Sequence, residues 1–203
     1  MLVPIPVPVA PAFAARVDPI DDALAAHMTG RSYHDGCPVP LGDLRVISVS
    51  YWGPDGEPHP GRVVAHADAA DALVRVFGAL FELRFPLTSV EPVDAFAGDD
   101  GASMAADNTS AFNCRPIAGG GSWSQHAFGR AIDVNPLVNP YVSASGRVRP
   151  PGGAAFLDRT RADVPGMIRP DDAVVRAFAA VGWRWGGAWR SSKDWQHFSA
   201  NGR

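Results

Sequence analysis

Two short stretches of the sequence hold the residues best suited to catalysis. The first contains His126 and Asp133, and the second, farther along the chain, contains Asp194 and His197. Zn²⁺ in hydrolytic enzymes is commonly bound by three nitrogen or oxygen ligands, with a fourth position left for water. His126, Asp133 and His197 form such a set, which leaves Asp194 to act as a general base beside the metal.

The spacing of the first stretch requires a turn between its two ligands. Residues seven apart in a strand face opposite sides of the sheet, so His126 and Asp133 can bind one metal only if the chain turns. Gly129 provides this turn, because glycine adopts positive φ at little cost. Beyond it, Ile132 and Val134 alternate with small or polar residues, which predicts a strand with one buried and one functional face.

The second stretch requires a bend. Asp194 and His197 are three residues apart, and they reach the same side of the chain if it bends around Trp195. Trp195 and Phe198 can then anchor the segment in the core. This arrangement would hold a base next to the metal, as metal-assisted hydrolysis requires.

The combined pattern resembles a known enzyme family. Ser-x-His-x-x-Gly-x-Ala-x-Asp is followed by Trp-x-Trp-Gly-Gly-x-Trp and by Asp-x-x-His-Phe. This order is similar to that of the zinc D-alanyl-D-alanine carboxypeptidases and L-alanyl-D-glutamate endopeptidases, which include vancomycin-resistance carboxypeptidases and several phage endolysins. The resemblance covers roughly residues 85–199. It implies that His126, Asp133 and His197 bind zinc and that Asp194, where many members carry Glu, is the catalytic base.

The resemblance also implies a role for Arg115. An arginine upstream of the first metal-binding histidine contacts the substrate or the developing oxyanion in that family, and Arg115 occupies the matching position. A guanidinium suits this role because it stays charged and presents several donors. Alternatively, Arg115 ties loop carbonyl groups together. We further assign Ser124, Tyr141 and Trp195 to substrate contact.

Composition limits the classes of function. The chain has 203 residues, a formal net charge of −3 and 19% charged residues, which provides no basic surface for nucleic acid. No hydrophobic run reaches the roughly 18 residues that a membrane span needs. Glycine and proline number 21 and 19, and both interrupt regular elements, so we expect a loop-rich domain.

The chain divides into an N-terminal arm, residues 1–16, and one domain, residues 17–203. The arm is apolar and rich in proline, and its segment 12–14 has the small-x-small form of a signal-peptidase site, although no positively charged region precedes it. Two interpretations are equally consistent with this composition. The arm is either the remnant of an export signal or a proline-rich segment that lies on the domain surface.

Hydrophobic periodicity and capping residues predict the regular elements. We expect an α+β fold with a small, mainly antiparallel sheet flanked by helices, and the resemblance implies a Hedgehog-like or DD-peptidase-like version of it. The first helix should begin with Asp18 as its N-cap and Pro19 in its first turn. The expected helices cover residues 18–28, 69–84 and 170–180, and the expected strands cover residues 44–52, 61–66, 87–93, 130–134 and 183–185.

The two cysteines, Cys37 and Cys114, fit no metal motif of short spacing. A disulfide between them suits an exported protein, and it would connect the N-terminal part of the domain to the loop that bears Arg115. The alternative is a pair of buried thiols.

These observations predict an exported zinc peptidase that acts outside the cell or in the cell wall on peptidoglycan stem peptides. We favour a D-alanyl-D-alanine carboxypeptidase, because an arginine can pair with the terminal carboxylate of that substrate. The candidate arginines are Arg115, Arg147, Arg149 and Arg159. The alternatives are an L-alanyl-D-glutamate endopeptidase and a non-catalytic, zinc-containing cell-wall-binding domain. The oligomeric state is not predicted by the sequence.

Overall fold

The computed structural model of the protein describes residues 11–117 and 120–203, which form the expected α+β fold. Its strands make three antiparallel sheets of three strands each and one parallel pair. The helices are α1 (Asp22–Met28), α2 (Ala67–Glu82), α3 (Asp100–Ala105) and α4 (Ala173–Ala180). The strands are β1 (Ala15–Pro19), β2 (Leu44–Trp52), β3 (Pro58–His66), β4 (Ser89–Val90), β5 (Asn108–Thr109), β6 (Ala131–Asp133), β7 (Tyr141–Val142), β8 (Val148–Arg149), β9 (Arg184–Trp185), β10 (Lys193–Asp194) and β11 (His197–Ser199).

The first sheet has the order β1-β2-β3. Strand β2 has the bounds expected from its alternating pattern, and β3 begins at Pro58, three residues earlier than expected. Segment 1–10 of the N-terminal arm lies outside the described residues, so both interpretations of the arm remain predictions. The arm's described end enters the sheet, because β1 begins at Ala15 and pairs with β2.

The predicted start of the first helix was wrong. Asp18 and Pro19 belong to β1, where they pair with Val46 and Arg45 of β2. Helix α1 begins three residues later, and its N-cap is Asp21, whose side chain accepts a hydrogen bond of 2.7 Å from the Leu24 amide. Asp18 and Asp21 can both cap a helix, and Asp18 is not available because it belongs to the strand that pairs with β2.

Helix α2 covers the first sheet, and its apolar stripe forms the centre of the main core. It begins at Ala67 and ends at Glu82, close to the expected bounds and before Pro86. Helix α4 begins at Ala173, after the predicted Pro170 start, and joins the same core. Its Phe178 stacks on Phe198 of β11, with ring centroids 3.8 Å apart, so the core supports a strand of the candidate site directly.

Two short sheets carry the candidate catalytic stretches. One has the order β6-β11-β9 and the other the order β10-β7-β8. The expected strand at 87–93 is only two residues long, as β4, and pairs with β5 in parallel. The segment between β4 and β5 contains α3, and Asp99 caps that helix by accepting a hydrogen bond of 3.0 Å from the Ala102 amide.

The predicted bridge between Cys37 and Cys114 is present, with an S–S distance of 2.03 Å. It joins the segment after α1 to the segment that follows β5. Both ends lie in a second apolar cluster that contains Met28, Leu44 and Phe112. Among the helices of the described residues, none is both long and apolar enough to cross a membrane.

Candidate active site

The turn that brings the first two ligands together forms at Gly129, as expected. Its φ is 63°, and a Cβ there would lie 2.5 Å from the His66 backbone nitrogen, so both conformation and space favour glycine. A 3₁₀ turn, Gln125–Phe128, precedes it and carries His126. Ser124 caps this turn, since its hydroxyl accepts a hydrogen bond of 3.3 Å from the His126 amide.

Strand pairing brings the third candidate ligand to the other two. His197 of β11 lies directly opposite Asp133 of β6 in the antiparallel register. His197 Nδ1 is 3.0 Å from Asp133 Oδ1, and His126 Nε2 is 3.2 Å from Asp133 Oδ2 and 3.2 Å from His197 Nδ1. The three residues are each at most 6% exposed. They therefore form one buried cluster whose ligand atoms lie within 4.8 Å of one another.

Main-chain carbonyl groups fix the orientation of both imidazoles. His126 Nδ1 lies 2.6 Å from the Ala111 oxygen, and His197 Nε2 lies 3.1 Å from the Arg203 oxygen. Each of these nitrogens must donate its proton to the carbonyl, so the opposite nitrogen is left as an acceptor facing the cluster. His126 Nε2 and His197 Nδ1 are thus the nitrogens that could bind a metal ion.

The electrostatics of the cluster suit a cation. Burial alone would raise the pKa of Asp133, but attraction to His126, and the hydrogen bonds that both imidazoles donate when they are protonated in the metal-free site, hold that pKa well below its usual range. Burial lowers the pKa of His197, whereas its hydrogen bond and attraction to Asp133 outweigh this and raise the pKa overall. Two imidazole nitrogens and one carboxylate are a donor set that zinc accepts in catalytic sites.

Asp194 lies next to this cluster on β10, opposite Tyr141 of β7. Its Oδ1 is buried and has no hydrogen-bond partner among the described residues. Burial raises the pKa of Asp194 to about 6, although attraction to His197 opposes the rise. A Cβ at Gly186 would lie 2.8 Å from the Asp194 Cβ, so the absence of a side chain there makes room for this acid.

Arg115 lies in the segment that leads into the first catalytic stretch. Its Nη2 forms a 3.0 Å ion pair with Asp100 of α3, and its Nε is buried with no partner among the described residues. Its own backbone oxygen accepts a 3.1 Å hydrogen bond from the Ser124 amide. The Asp100 carboxylate therefore holds the guanidinium near the cap of the His126 turn, and the Nε–H group remains without an acceptor among the described residues.

Trp195, assigned to substrate contact, is packed against Arg159, whose guanidinium carbon lies 4.7 Å from the centroid of the indole. The terminal nitrogens of Arg159 donate to oxygens of four residues at 2.6 to 3.0 Å, namely Val138, Asn139, Phe156 and Ile168. Burial lowers the pKa of Arg159 to about 10. Arg159 thus supports Trp195 and the neighbouring loop, and its terminal nitrogens are not free for a substrate carboxylate.

Several residues at the site were not predicted from the sequence. Ala111 and Arg203 contact the two histidines through main-chain oxygens, so their residue types do not reveal these contacts. Trp189 lies with its ring centroid 5.7 Å from that of His197, and its indole N–H donates to the Gly202 oxygen at 2.9 Å. Gln196 is 3% exposed, between the acid and the last ligand. Its place inside the Asp-x-x-His motif was the one available signal.

A groove of about 550 Å³ lies elsewhere, on the first sheet. The charged residues that line it are paired, since Arg16 contacts Asp18 and Arg62 contacts Glu91. His126, Asp133, Asp194 and His197 are not among its lining residues. The candidate catalytic residues therefore lie at the His/Asp/His cluster and not in this groove.

The fold and the site define an α+β domain with a candidate metal-hydrolase centre. Residues 118–200 match a family model described as D-alanyl-D-alanine carboxypeptidase. The resemblance inferred from the motifs is thereby confirmed over this stretch, which includes His126, Asp133, Asp194 and His197. Arg115 lies just before it. No curated protein and no solved structure matches the chain significantly.

Proposed function

We propose that this protein is a zinc-dependent peptidase that hydrolyses peptidoglycan stem peptides, with D-alanyl-D-alanine carboxypeptidase activity. The observation that carries the proposal is the buried cluster of His126, Asp133 and His197 beside a half-buried acid, Asp194, one of whose oxygens is buried and unpaired among the described residues. The family match over residues 118–200 supports a peptidase and the class of substrate.

The three ligands have distinct parts in the proposed centre. His126 would bind zinc through Nε2, His197 through Nδ1 and Asp133 through its carboxylate, because these atoms face one another. Zinc bound there would supply a Lewis acid that lowers the pKa of a water toward roughly 7 and polarises a carbonyl group. A fourth protein ligand is not needed for this chemistry, and three ligands leave room for substrate.

Asp194 would move the proton. Its carboxylate accepts a proton from the attacking water and then delivers it to the nitrogen of the leaving amine. A pKa raised to about 6 by burial suits both steps, since the group is ionised at neutral pH yet basic enough to take a proton. The intact acid also argues against the alternative of a non-catalytic cell-wall-binding domain.

Arg115 would stabilise negative charge on the carbonyl oxygen. Its unpaired Nε is the supporting observation, because a buried donor without an acceptor is costly unless a ligand satisfies it. The ion pair with Asp100 would keep the guanidinium in place for this role.

The preference for a carboxypeptidase rests on Arg149. Strand register aligns Arg149, Tyr141 and Asp194 in one row across β8, β7 and β10, so their side chains share one face of that sheet. Neighbouring strands are about 4.8 Å apart, which places the Arg149 backbone about 10 Å from that of Asp194. A guanidinium there is within reach of a substrate carboxylate, with Tyr141 between the two. Arg115 and Arg159 already have protein partners.

An extracellular or cell-wall location is part of the proposal. The Cys37–Cys114 disulfide supports it, since disulfides persist mainly in oxidising compartments.

Digestion of purified peptidoglycan by zinc-loaded protein tests the proposed function. A pentapeptide stem that ends in D-Ala-D-Ala should lose its terminal residue, as shown by the product masses, and the same peptide amidated at its C-terminus should react much more slowly. Fragments split between L-Ala and D-Glu would establish the endopeptidase alternative. Unchanged peptidoglycan and unchanged peptides would contradict the peptidase assignment.

A further inference from the structure

Four buried polar atoms in or near the candidate centre have no hydrogen-bond partner among the described residues. They are Asp194 Oδ1, Gln196 Oε1, Arg115 Nε and Arg159 Nε, the last on a guanidinium whose terminal nitrogens already donate to four oxygens. Buried polar atoms in folded proteins are nearly always paired, so each exception requires an explanation. The mechanism above uses the first and the third atoms but leaves the oxygen of Gln196 unexplained.

Gln196 is fixed from several sides. Its backbone oxygen accepts a 3.0 Å hydrogen bond from the Val134 amide at the end of β6. Its side-chain nitrogen lies 3.8 Å from the sulfur of Met104 on α3. The same amide lies beside Asp194, where it opposes part of the rise that burial causes in the pKa of that acid. The nitrogen end of the amide therefore has neighbours, and the oxygen end is left as a buried acceptor.

We propose that Gln196 Oε1 accepts a hydrogen bond from the N–H of the scissile peptide bond and so holds the leaving nitrogen beside Asp194. The inference rests on the proposed function, because it assigns a contact to the substrate of that site. Gln196 thereby becomes a specificity-determining residue for a bond that carries an N–H.

The chemistry of bond cleavage is consistent with this contact. As the C–N bond breaks, its electron pair passes to nitrogen, which takes the proton that Asp194 accepted from the attacking water. The product amine then carries the new hydrogen, delivered by Asp194, and the original hydrogen, held by Gln196. Asp194 returns to its ionised form, so no further reactant is needed.

The contact also predicts discrimination between substrates. A substrate with oxygen or a methylene group in place of the N–H would leave Gln196 Oε1 buried and unpaired. The cost of an unsatisfied buried acceptor corresponds to about 10- to 100-fold in affinity. This preference should disappear when the acceptor is removed without a change in side-chain volume.

A pair of inhibitors tests the contact without turnover. Both carry a tetrahedral phosphorus in place of the scissile carbonyl carbon of a D-Ala-D-Ala peptide, and they differ only in P–NH against P–CH₂. Calorimetry on zinc-loaded protein should give about 10- to 100-fold tighter binding of the P–NH compound to wild type. Gln196→Met should reduce this ratio to less than about 3-fold, and Gln196→Glu, which keeps an acceptor oxygen, should retain it.

The control is Gln125→Met, the same substitution at a partly exposed glutamine of the His126 turn, which should keep the wild-type ratio. Equal affinities of wild type for the two compounds, or an unchanged ratio in Gln196→Met, would overturn the inference alone. A wild-type protein that binds neither compound would contradict the proposed substrate and, with it, this contact.

Discussion

His197 and Asp133 lie directly opposite each other on two antiparallel strands, and 3.0 Å separates His197 Nδ1 from Asp133 Oδ1. Residues paired in this way share one face of the sheet, so the register of β11 against β6 determines whether the ligands meet. A shift of one residue would turn His197 toward the core and Phe198 toward the site. The stack of Phe198 on Phe178 opposes such a shift.

The first prediction concerns zinc content. His126→Ala, Asp133→Ala and His197→Ala should each lose most bound zinc, because a set of three ligands has no spare member. His59→Ala is the control, since His59 is an exposed histidine paired with Asp55 on the first sheet. Elemental analysis of purified proteins measures the outcome. Full zinc content in all three ligand variants would show that the metal is bound elsewhere.

The second prediction concerns the stability of the metal-free protein. Burial raises the pKa of Asp194 to about 6 in the folded state, against an ordinary value of 3.8 for an aspartate. Between pH 4 and 6 the folded state holds more protons than the unfolded one, so this group's contribution to stability falls as pH rises. Asp194→Asn should therefore gain little at pH 4 and up to about 3 kcal/mol at pH 7 relative to wild type.

Urea unfolding of the metal-free proteins at pH 4 to 7 measures this difference. Asp55→Asn is a control of opposite sign, because the hydrogen bond from His59 lowers the pKa of Asp55. That variant should show no gain as pH rises. A constant difference between Asp194→Asn and wild type across this range would show that the Asp194 pKa is not raised.

The third prediction concerns the last residues of the sequence. Gly202 has a φ of +80°, and the chain there brings the Arg203 oxygen to 3.1 Å from His197 Nε2. Gly202→Ala should strain this conformation and weaken zinc binding by about 10-fold, as the loss of other contacts behind metal ligands does. Competition with a chromophoric chelator measures the affinity.

Gly56→Ala is the matched control for that variant. Gly56 has a φ of +78° in the exposed turn between β2 and β3, and a Cβ there would meet no atom within 4 Å. It should bind zinc like wild type while carrying a similar backbone strain. Wild-type affinity in Gly202→Ala as well would show that the contact between the Arg203 oxygen and His197 does not contribute to zinc binding.

The fourth prediction concerns the terminal carboxylate of the substrate. Arg149→Met should lower kcat/KM for a stem peptide with a free C-terminus by about 10- to 100-fold, the usual effect of losing a charge-assisted hydrogen bond. Hydrolysis of the amidated peptide should change little. Arg147→Met, in the exposed turn between β7 and β8, is the control and should resemble wild type. Equal losses on both peptides would assign Arg149 a purely structural role.

The sequence predicted best those parts of the fold that rest on periodicity. Strand β2 and helix α2 have patterns that repeat over nine and sixteen residues, so the bounds of the first were correct and those of the second nearly so. The start of α1 was wrong because Asp18 and Asp21 are equally suited to cap a helix. Pairing of β1 with β2, a contact distant in sequence, decides between them.

In the candidate site, too, some features could be predicted from the sequence and others depend on the folded chain. Residue types and spacing pointed to His126, Asp133, Asp194 and His197, because metal binding and proton transfer need particular side chains. The structure brings the first, second and fourth of these into one cluster, and the roles of all four stay predictions. Contacts of the Ala111 and Arg203 oxygens escaped prediction, since every residue has such an oxygen. The unpaired oxygen of Gln196 also escaped, because burial without a partner is a property of the folded chain alone.

The proposed function depends above all on Asp194, which we propose transfers the proton at a zinc centre formed by His126, Asp133 and His197. The most direct test is to measure zinc content and peptide hydrolysis together in Asp194→Asn. We expect one zinc per chain, as in wild type, and a loss of turnover of roughly 10²- to 10⁴-fold. Near-normal turnover in a variant that retains its zinc would contradict the claim.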